Sequence, residues 1–312
     1  MTFSIVALDR ATGDLGVAVQ SKFLAVGAVV PWARAGVGAI ATQAFANVAY
    51  GPDGLALLGE PLPADQVLAR LVAADDSRAQ RQVGIVDGHG GSATHTGRAC
   101  FAWAGGRAGD GFAAQGNILA GAAVVDGLAD TLLAGGRPFP ELLVACLSAA
   151  DEAGGDRRGR ESASLLIVRD GGGFGGVNDR WIDLRVDQHD DPIGELARVL
   201  EFQRLYYERP DPSDLQPIDG AVAAEIRAIL ESIGGGPGGR FGHVYEPMFD
   251  AAPTDEATSP VGEPRPFPSN WDDAWQGALG EWLDVENLEA RTAAAGWIDP
   301  RVLAILRSRR PA

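Results

Sequence analysis

The chain has 312 residues, 46% of them hydrophobic, with 42 acidic against 26 basic side chains and a net charge of −16. Such a length accommodates one large domain plus a smaller one, while the acidic surplus argues against nucleic acid and anionic membrane surfaces as partners. No charged segment followed by a short apolar run marks a secretory leader, and the most apolar stretch, residues 26–50, is broken by Pro31 and Arg34 before it could span a bilayer, so a cytoplasmic protein is expected.

The first element is β: residues 2–8 are rich in β-branched and aromatic side chains. Trimming of Met1 is favoured before a small side chain and would leave Thr2 as the first residue. A terminal threonine carries a hydroxyl nucleophile and a free amine that can serve as its base. Such an amine titrates near ~8, so little tuning makes it neutral. Residues 9–14 form a turn, and residues 15–19 complete a hairpin that ends in Gln20-Ser21-Lys22. Lys22 is the only lysine of the chain. In a sequence that otherwise uses arginine, it is a candidate for a role needing a tunable amine. Ser21 is a candidate substrate contact, or an internal nucleophile.

Residues 25–31 and 36–41 read as short strands. The latter runs into Thr42, Gln43, Ala44 and Phe45, where backbone N–H groups at a strand end can hold an oxyanion. Residues 51–59 and 64–74 carry leucines and valines at helical spacing. Residues 82–87 and 92–96 pair as strands, and residues 111–115 form a short edge element. A helix is expected over residues 117–134, capped by Asn117, so that Gln115 and Asn117 flank a helix N-terminus suited to negative charge. A second helix covers residues 140–153. The loop that follows compresses Asp156, Arg157, Arg158 and Arg160 between glycines ahead of a strand starting at Ser162. Asp156 and Ser162 are candidates to orient an amine and relay a proton. Arg157, Arg158 or Arg160 is a candidate to bind a substrate carboxylate in a bidentate fork.

Strands at residues 162–169 and 181–186 and a helix at 192–207 complete this part. Strands and helices are segregated, which predicts an α+β fold, a four-layer α-β-β-α sandwich being consistent with it. A hinge marked by Pro210, Pro212 and Pro217 separates a domain at residues 1–210 from a helical module at 211–312. Within the latter, residues 219–233, 271–283, 286–294 and 300–309 read as helices, residues 251–268 as a mobile stretch. Trp271, Trp275, Trp282 and Trp297 form either its core or a ligand groove. The four histidines lack metal-ligand spacing, the glycine runs fail the strand–loop–helix test for a phosphate loop, and no metal or cofactor is expected. Cys100 and Cys146 lie in apolar stretches and read as free thiols.

Thr2-Phe3-Ser4-Ile5-Val6-Ala7, Gly16-Val17-Ala18-Val19-Gln20-Ser21-Lys22-Phe23, Ala41-Thr42-Gln43-Ala44, Gln115-Gly116-Asn117-Ile118-Leu119 and Gly155-Asp156-Arg157-Arg158-Gly159, in that order, resemble the domain of unknown function 1028. That resemblance covers residues 1–205 and implies an N-terminal-nucleophile-hydrolase-like fold. It implies an amide hydrolase acting on a small amide or peptide, with Thr2, Lys22, Asp156 and Ser162 as catalytic candidates. The wider superfamily includes proteasome β subunits, which also begin with a threonine on a first strand; their catalytic lysine lies on a later strand than Lys22. The tail, with Gly296-Trp297-Ile298-Asp299-Pro300, resembles a peptidoglycan-binding domain, which implies recognition of peptidoglycan fragments. The alternative is a non-catalytic binding protein on the same scaffold; in either case a homo-oligomer is expected.

Overall fold

A computed structural model describes residues 2–239, 241 and 260–310. The chain divides into two compact units, one up to Leu200 and one from Glu201. In chain order the first holds β1 (Thr2–Leu8), β2 (Leu15–Ser21), β3 (Pro31–Arg34), β4 (Gly38–Ala44), α1 (Tyr50–Leu58) and α2 (Ala64–Ala73). It continues with β5 (Arg81–Asp87), β6 (Ser92–Thr96), β7 (Gly105–Gly109), β8 (Phe112–Asn117), α3 (Ala122–Ala134) and α4 (Phe139–Glu152). β9 (Ser162–Val168), β10 (Arg180–Val186) and α5 (Pro192–Tyr207) follow, and the division between units falls inside α5, ten residues ahead of the expected hinge boundary.

Two antiparallel sheets form. One has the order β10-β9-β2-β1-β8-β7, the other β3-β4-β5-β6. β1 is therefore a central strand, and its alternation sends its side chains to two different cores. Phe3, Ile5 and Ala7 join Leu143, Leu147 and Leu128 from α4 and α3. Val6 joins Val17, Leu166, Ala39 and Val86 between the sheets. A third core, with Ile40, Val67 and Ile85, lies between the smaller sheet and helices α1 and α2. The result is a mixed α+β unit in which the sheets face each other and each carries a helix pair on its outer side. α4 lies so close over β2 that a Cβ on Gly16 would come within 2.5 Å of Leu143 Cδ1; only glycine permits that approach.

Four expectations change. Residues 25–31 are not a strand: Ala25 is left-handed (φ 53°) and a 3₁₀ turn over Val26–Ala28 follows, pinned by the Val26 N–H on Ser162 Oγ at 3.0 Å. Asn117 caps no helix; it closes β8, and α3 starts only after Gly121. Residues 111–115 belong to this interior strand, and the edge is β7. Residues 286–294 contain a single 3₁₀ turn over Glu289–Arg291 rather than a helix.

The second unit contains β11 (Gln216–Pro217), α6 (Gly220–Ser232), α7 (Asp273–Val285), β12 (Trp297–Ile298) and α8 (Pro300–Ser308). Asp219, Asp272 and Asp299 cap the three helices through their side chains, the expected use of aspartate at that position. Trp271 and Trp282 are buried among Ile226, Leu230, Leu279 and Val302, while Trp275 is partly buried against the same core. Two of the four tail tryptophans are thus core. Of the stretch expected to be mobile, residues 251–259 lie outside the described residues. Among the described residues no helix is long and apolar enough to cross a membrane.

Candidate functional site

Thr2 is the first residue of β1, and it lies opposite Ser21 at the end of β2 and Asn117 at the end of β8. Three strand ends therefore converge. Thr2 Oγ1 and Ser21 Oγ are 3.0 Å apart. They and Asn117 line one cavity of about 520 Å³, together with Gln43, Ala44, Phe45 and Arg158. The register that brings Thr2 beside Asn117 follows from β1 being paired on both edges, a fact of topology rather than of local sequence.

Beneath the cavity lies a buried polar layer joining the two sheets. Gln115 Nε2 donates to Ser4 Oγ and Ser4 Oγ donates to Gln43 Oε1, each at 2.7 Å. Gln43 Nε2 donates to Gln82 Oε1 at 2.8 Å and to the Thr2 carbonyl at 3.3 Å. Asn117 Nδ2 donates to Gln82 Oε1 at 2.9 Å, and Gln82 Nε2 donates to the Gly116 carbonyl at 2.8 Å. These side chains are almost wholly excluded from solvent. Each such bond contributes only about 1 kcal/mol net, but an orphaned partner costs about 1–3 kcal/mol, so the layer resists partial rearrangement. It fixes the backbone of Thr2 and the amide of Asn117. Gln82 was not among the residues expected in the site; the legible signal was a glutamine at the head of an otherwise apolar strand. Gly84 makes room for Gln115, whose amide would collide with any Cβ there.

The other expected residues are distributed differently. Lys22 Nζ bonds Glu161 Oε2 at 2.5 Å and the Arg160 carbonyl at 3.0 Å, on the exposed side of the strand end. It lies just past the end of β2, its amine is engaged on that exposed side, and it does not line the cavity. Asp156 Oδ2 accepts the Lys22 N–H at 3.0 Å and Oδ1 accepts the Arg158 N–H at 2.8 Å. Ser162 Oγ donates to the Phe23 carbonyl at 2.5 Å. Asp156 and Ser162 thus anchor the Lys22–Val26 stretch that forms a wall of the cavity. Arg157 is exposed outside the cavity, while Arg158 lines it. Thr42 Oγ1 is spent on the Asn47 carbonyl at 3.0 Å. The Phe45 N–H, expected as an oxyanion donor, bonds the Gln80 carbonyl at 3.3 Å.

Ala44 behaves differently from Phe45. The Thr42 N–H bonds the Val30 carbonyl, and in an extended strand the next N–H on that side belongs to Ala44. Ala44 is also held at φ 69°, and Ile118 across the cavity at φ 54°. Both are uncommon for residues with a Cβ and are of the kind that gathers at functional sites.

One charged cluster supports the rim. Asp75 Oδ2 accepts Arg81 Nε at 2.8 Å, Tyr50 Oη at 3.0 Å and Asn47 Nδ2 at 3.2 Å. Arg81 Nη1 in turn donates to the Phe45 carbonyl at 2.5 Å. The Arg81 hydrogen bond, opposed by burial and aided by the other donors, holds the Asp75 carboxyl far below the usual carboxylate range. Burial, then the Asp75 hydrogen bond, raises the Tyr50 phenol. A carboxyl with a depressed folded pKa stabilises the fold fully above its unfolded value near ~4, and that contribution disappears as pH falls through the folded value. Asp75→Asn is therefore expected to cost about 1.5–3 kcal/mol at neutral pH. The gap between variant and wild type should stay flat down to about pH 5 and narrow below pH 4, which urea unfolding at several pH values would measure. A gap that widens on acidification would contradict the assignment.

The thiols are a contrast. Burial raises the Cys100 pKa, and that of Cys146 is pushed up to about 12. Cys100 lines the cavity but is poorly disposed to form the thiolate that a cysteine nucleophile needs. Among the described residues no three His, Cys, Asp or Glu side chains gather as a metal-binding group.

These features define a class: an α+β protein of two facing sheets, with a polar-floored cleft at the start of its first strand. The chain belongs to the family of unknown function DUF1028, whose model matches residues 2–196. A second model, described as "Putative peptidoglycan binding domain", matches residues 263–306. The crystal structure of protein SPO2555 from Silicibacter pomeroyi, described by the same DUF1028 model, is similar. It is 28% identical with a TM-score of 0.60, over 65% of this chain and 89% of that chain. No curated protein matches.

Proposed function

We propose that the first unit is an N-terminal-nucleophile amide hydrolase with Thr2 as nucleophile. The observation that carries this is the Thr2 hydroxyl on the floor of the cavity, 3.0 Å from Ser21 Oγ, on the central strand of a sheet that faces a second sheet. The layering supports the N-terminal-nucleophile-hydrolase sandwich. The chemistry requires a free Thr2 amine, and hence scission of the bond between residues 1 and 2.

Thr2 Oγ1 attacks the amide carbonyl while its proton passes to the Thr2 amine. The oxyanion is held by the Ala44 N–H and the Asn117 side-chain amide. The amine returns the proton to the leaving nitrogen as the C–N bond breaks, leaving an ester on Thr2. Water, deprotonated by the same amine, cleaves that ester and restores the hydroxyl. Ser21 orients Oγ1. Asp156 and Ser162 hold the wall rather than the reacting atoms, and Lys22 takes no part.

Intact-mass spectrometry is expected to show a protein starting at Thr2, and a β-lactone electrophile should acylate that residue. Active protein that retains Met1, or an adduct on Ser21 or Cys100, would overturn the mechanism.

For the second unit we propose binding of peptidoglycan fragments, supported by the family match at residues 263–306. Trp275 and Trp297, both partly buried, are its natural reporters. Titration with muropeptides should shift tryptophan emission; an unchanged spectrum with every fragment would count against it.

A further inference from the structure

The charges on the cavity lining are already committed within the protein. Two arginines line it, and among the described residues no aspartate, glutamate, lysine or histidine does. Arg81 is paired with Asp75 at 2.8 Å and donates to the Phe45 carbonyl. Arg158 is paired with Asp156, whose carboxylate is almost wholly excluded from solvent. This is a property of the cavity and not of every cleft in the first unit. Another, beside α1 and α2, is lined by Asp53, Arg70, Asp75 and Asp76.

What remains is mostly apolar. More than half of the residues lining the cavity have hydrocarbon side chains. Phe23, Phe45 and Phe101 are among them, and each is more than half exposed. The rings of Phe45 and Phe101 lie 6.2 Å apart. Single exposed phenylalanines are ordinary; three on the lining of one cavity present apolar surface that a ligand can cover. The polar lining that is not charged consists of hydroxyls and amides, those of Thr2, Ser21, Gln43 and Asn117. Such groups suit a neutral amide. A ligand carboxylate or ammonium buried here would lose its hydration and find only counter-charges that are already paired.

We infer, on the amide-hydrolase reading above, that the substrate is a small amide whose acyl group is uncharged and apolar. The assignment to the acyl side follows from the chemistry. The amine departs when the C–N bond breaks, whereas the acyl group stays on Thr2 Oγ1 until water cleaves the ester. The lining must therefore hold the acyl group through both steps and the amine through one. Hydrolysis converts the neutral amide and water into a carboxylate and an amine, and the new carboxylate meets no uncommitted cation on the lining, which favours its release.

Binding is tested apart from turnover in the full-length Thr2→Ala variant, by ligand-observed NMR titration. The first series is the N-methyl amides of acetic, butyric and hexanoic acid. Affinity should rise about fourfold for each methylene that the lining covers. The second series keeps the chain length and changes its end. N-methylhexanamide is compared with the mono-N-methylamide of adipic acid, an anion, and with the N-methylamide of 6-aminohexanoic acid, a cation. The neutral amide should bind about tenfold more tightly than either. Ala46 lines the cavity and is half-buried; Ala46→Asp, which adds an acid to the lining, should raise the affinity of the cation above that of the anion. Affinity that does not grow with chain length, an ion that binds as tightly as the neutral amide, an order of probes unaltered by Ala46→Asp in a protein with unchanged melting, or no binding of any probe would overturn the inference.

Wild-type turnover of the same compounds separates the two readings. Selective binding of the longer neutral amides without hydrolysis removes the hydrolase reading and leaves the ligand class. Hydrolysis of the charged amides with the same kcat/KM as the neutral one does the reverse.

Discussion

Thr2→Ala is expected to abolish amide hydrolysis, lowering kcat by about 10³-fold or more, as loss of a covalent nucleophile does elsewhere. The fold should survive. Thr2 contributes one side-chain hydrogen bond, to Ser21, and the strand register around it is held by backbone pairing to β2 and β8. Melting should therefore shift by no more than a net hydrogen bond of about 1 kcal/mol implies. KM should change far less than kcat, because the rest of the cavity lining is unchanged. Thr2→Ser should retain partial activity, since the hydroxyl and the amine geometry persist. Hydrolysis by Thr2→Ala at the wild-type rate would sink Thr2 as nucleophile and redirect attention to Ser21, the other hydroxyl on the cavity floor.

The largest expected effect on stability lies in the second unit. The Arg291 and Asp299 side chains are only 4% and 3% exposed and bond each other at 3.0 Å. Arg291 also donates to the carbonyls of Leu205 and Arg204, at 3.0 and 2.9 Å. Asp299 doubles as the cap of α8 through the Arg301 N–H at 2.7 Å. Burial lowers the Arg291 pKa, opposed first by the charge of Asp299. Removing one member leaves the other charged and unpaired. Arg291→Ala should thus destabilise this unit by about 3–5 kcal/mol, enough to unfold a small helical module. Asp299→Asn should cost less, because asparagine keeps a capping oxygen. Denaturant unfolding followed by tryptophan fluorescence would read this directly. A loss under about 1 kcal/mol for Arg291→Ala would mean that water reaches the pair and that it behaves as a surface ion pair.

Much of the layout was legible because it depends on local chemistry. The β-branched run at residues 2–8, the hairpin it forms with residues 15–21 and the helix over Pro192–Tyr207 follow from periodicity and turn residues alone. Thr2 stood out on its own, as a small hydroxyl residue at the start of a strand. The family motifs then gathered Ser21, Gln43, Asn117 and Arg158 as candidates, and the cavity contains all four.

Other assignments needed the tertiary structure. Asn117 has the side chain of a helix cap, but β1 offers it a pairing edge, and strand hydrogen bonds outweigh one capping bond. Lys22 is chemically distinctive, yet it lies just past the end of β2, and its amine pairs with Glu161. Gln82 looked like the ordinary head of a strand; it matters because β5 lies across from β1 and β8, where its amide bridges Gln43 and Asn117. The sequence by itself determined most of the elements and which residue carries the hydroxyl, because those depend on neighbours a few positions away; residues 25–31 and 286–294 are the exceptions. Which side chains share the cavity was decided only when strands more than a hundred residues apart closed into one sheet against another.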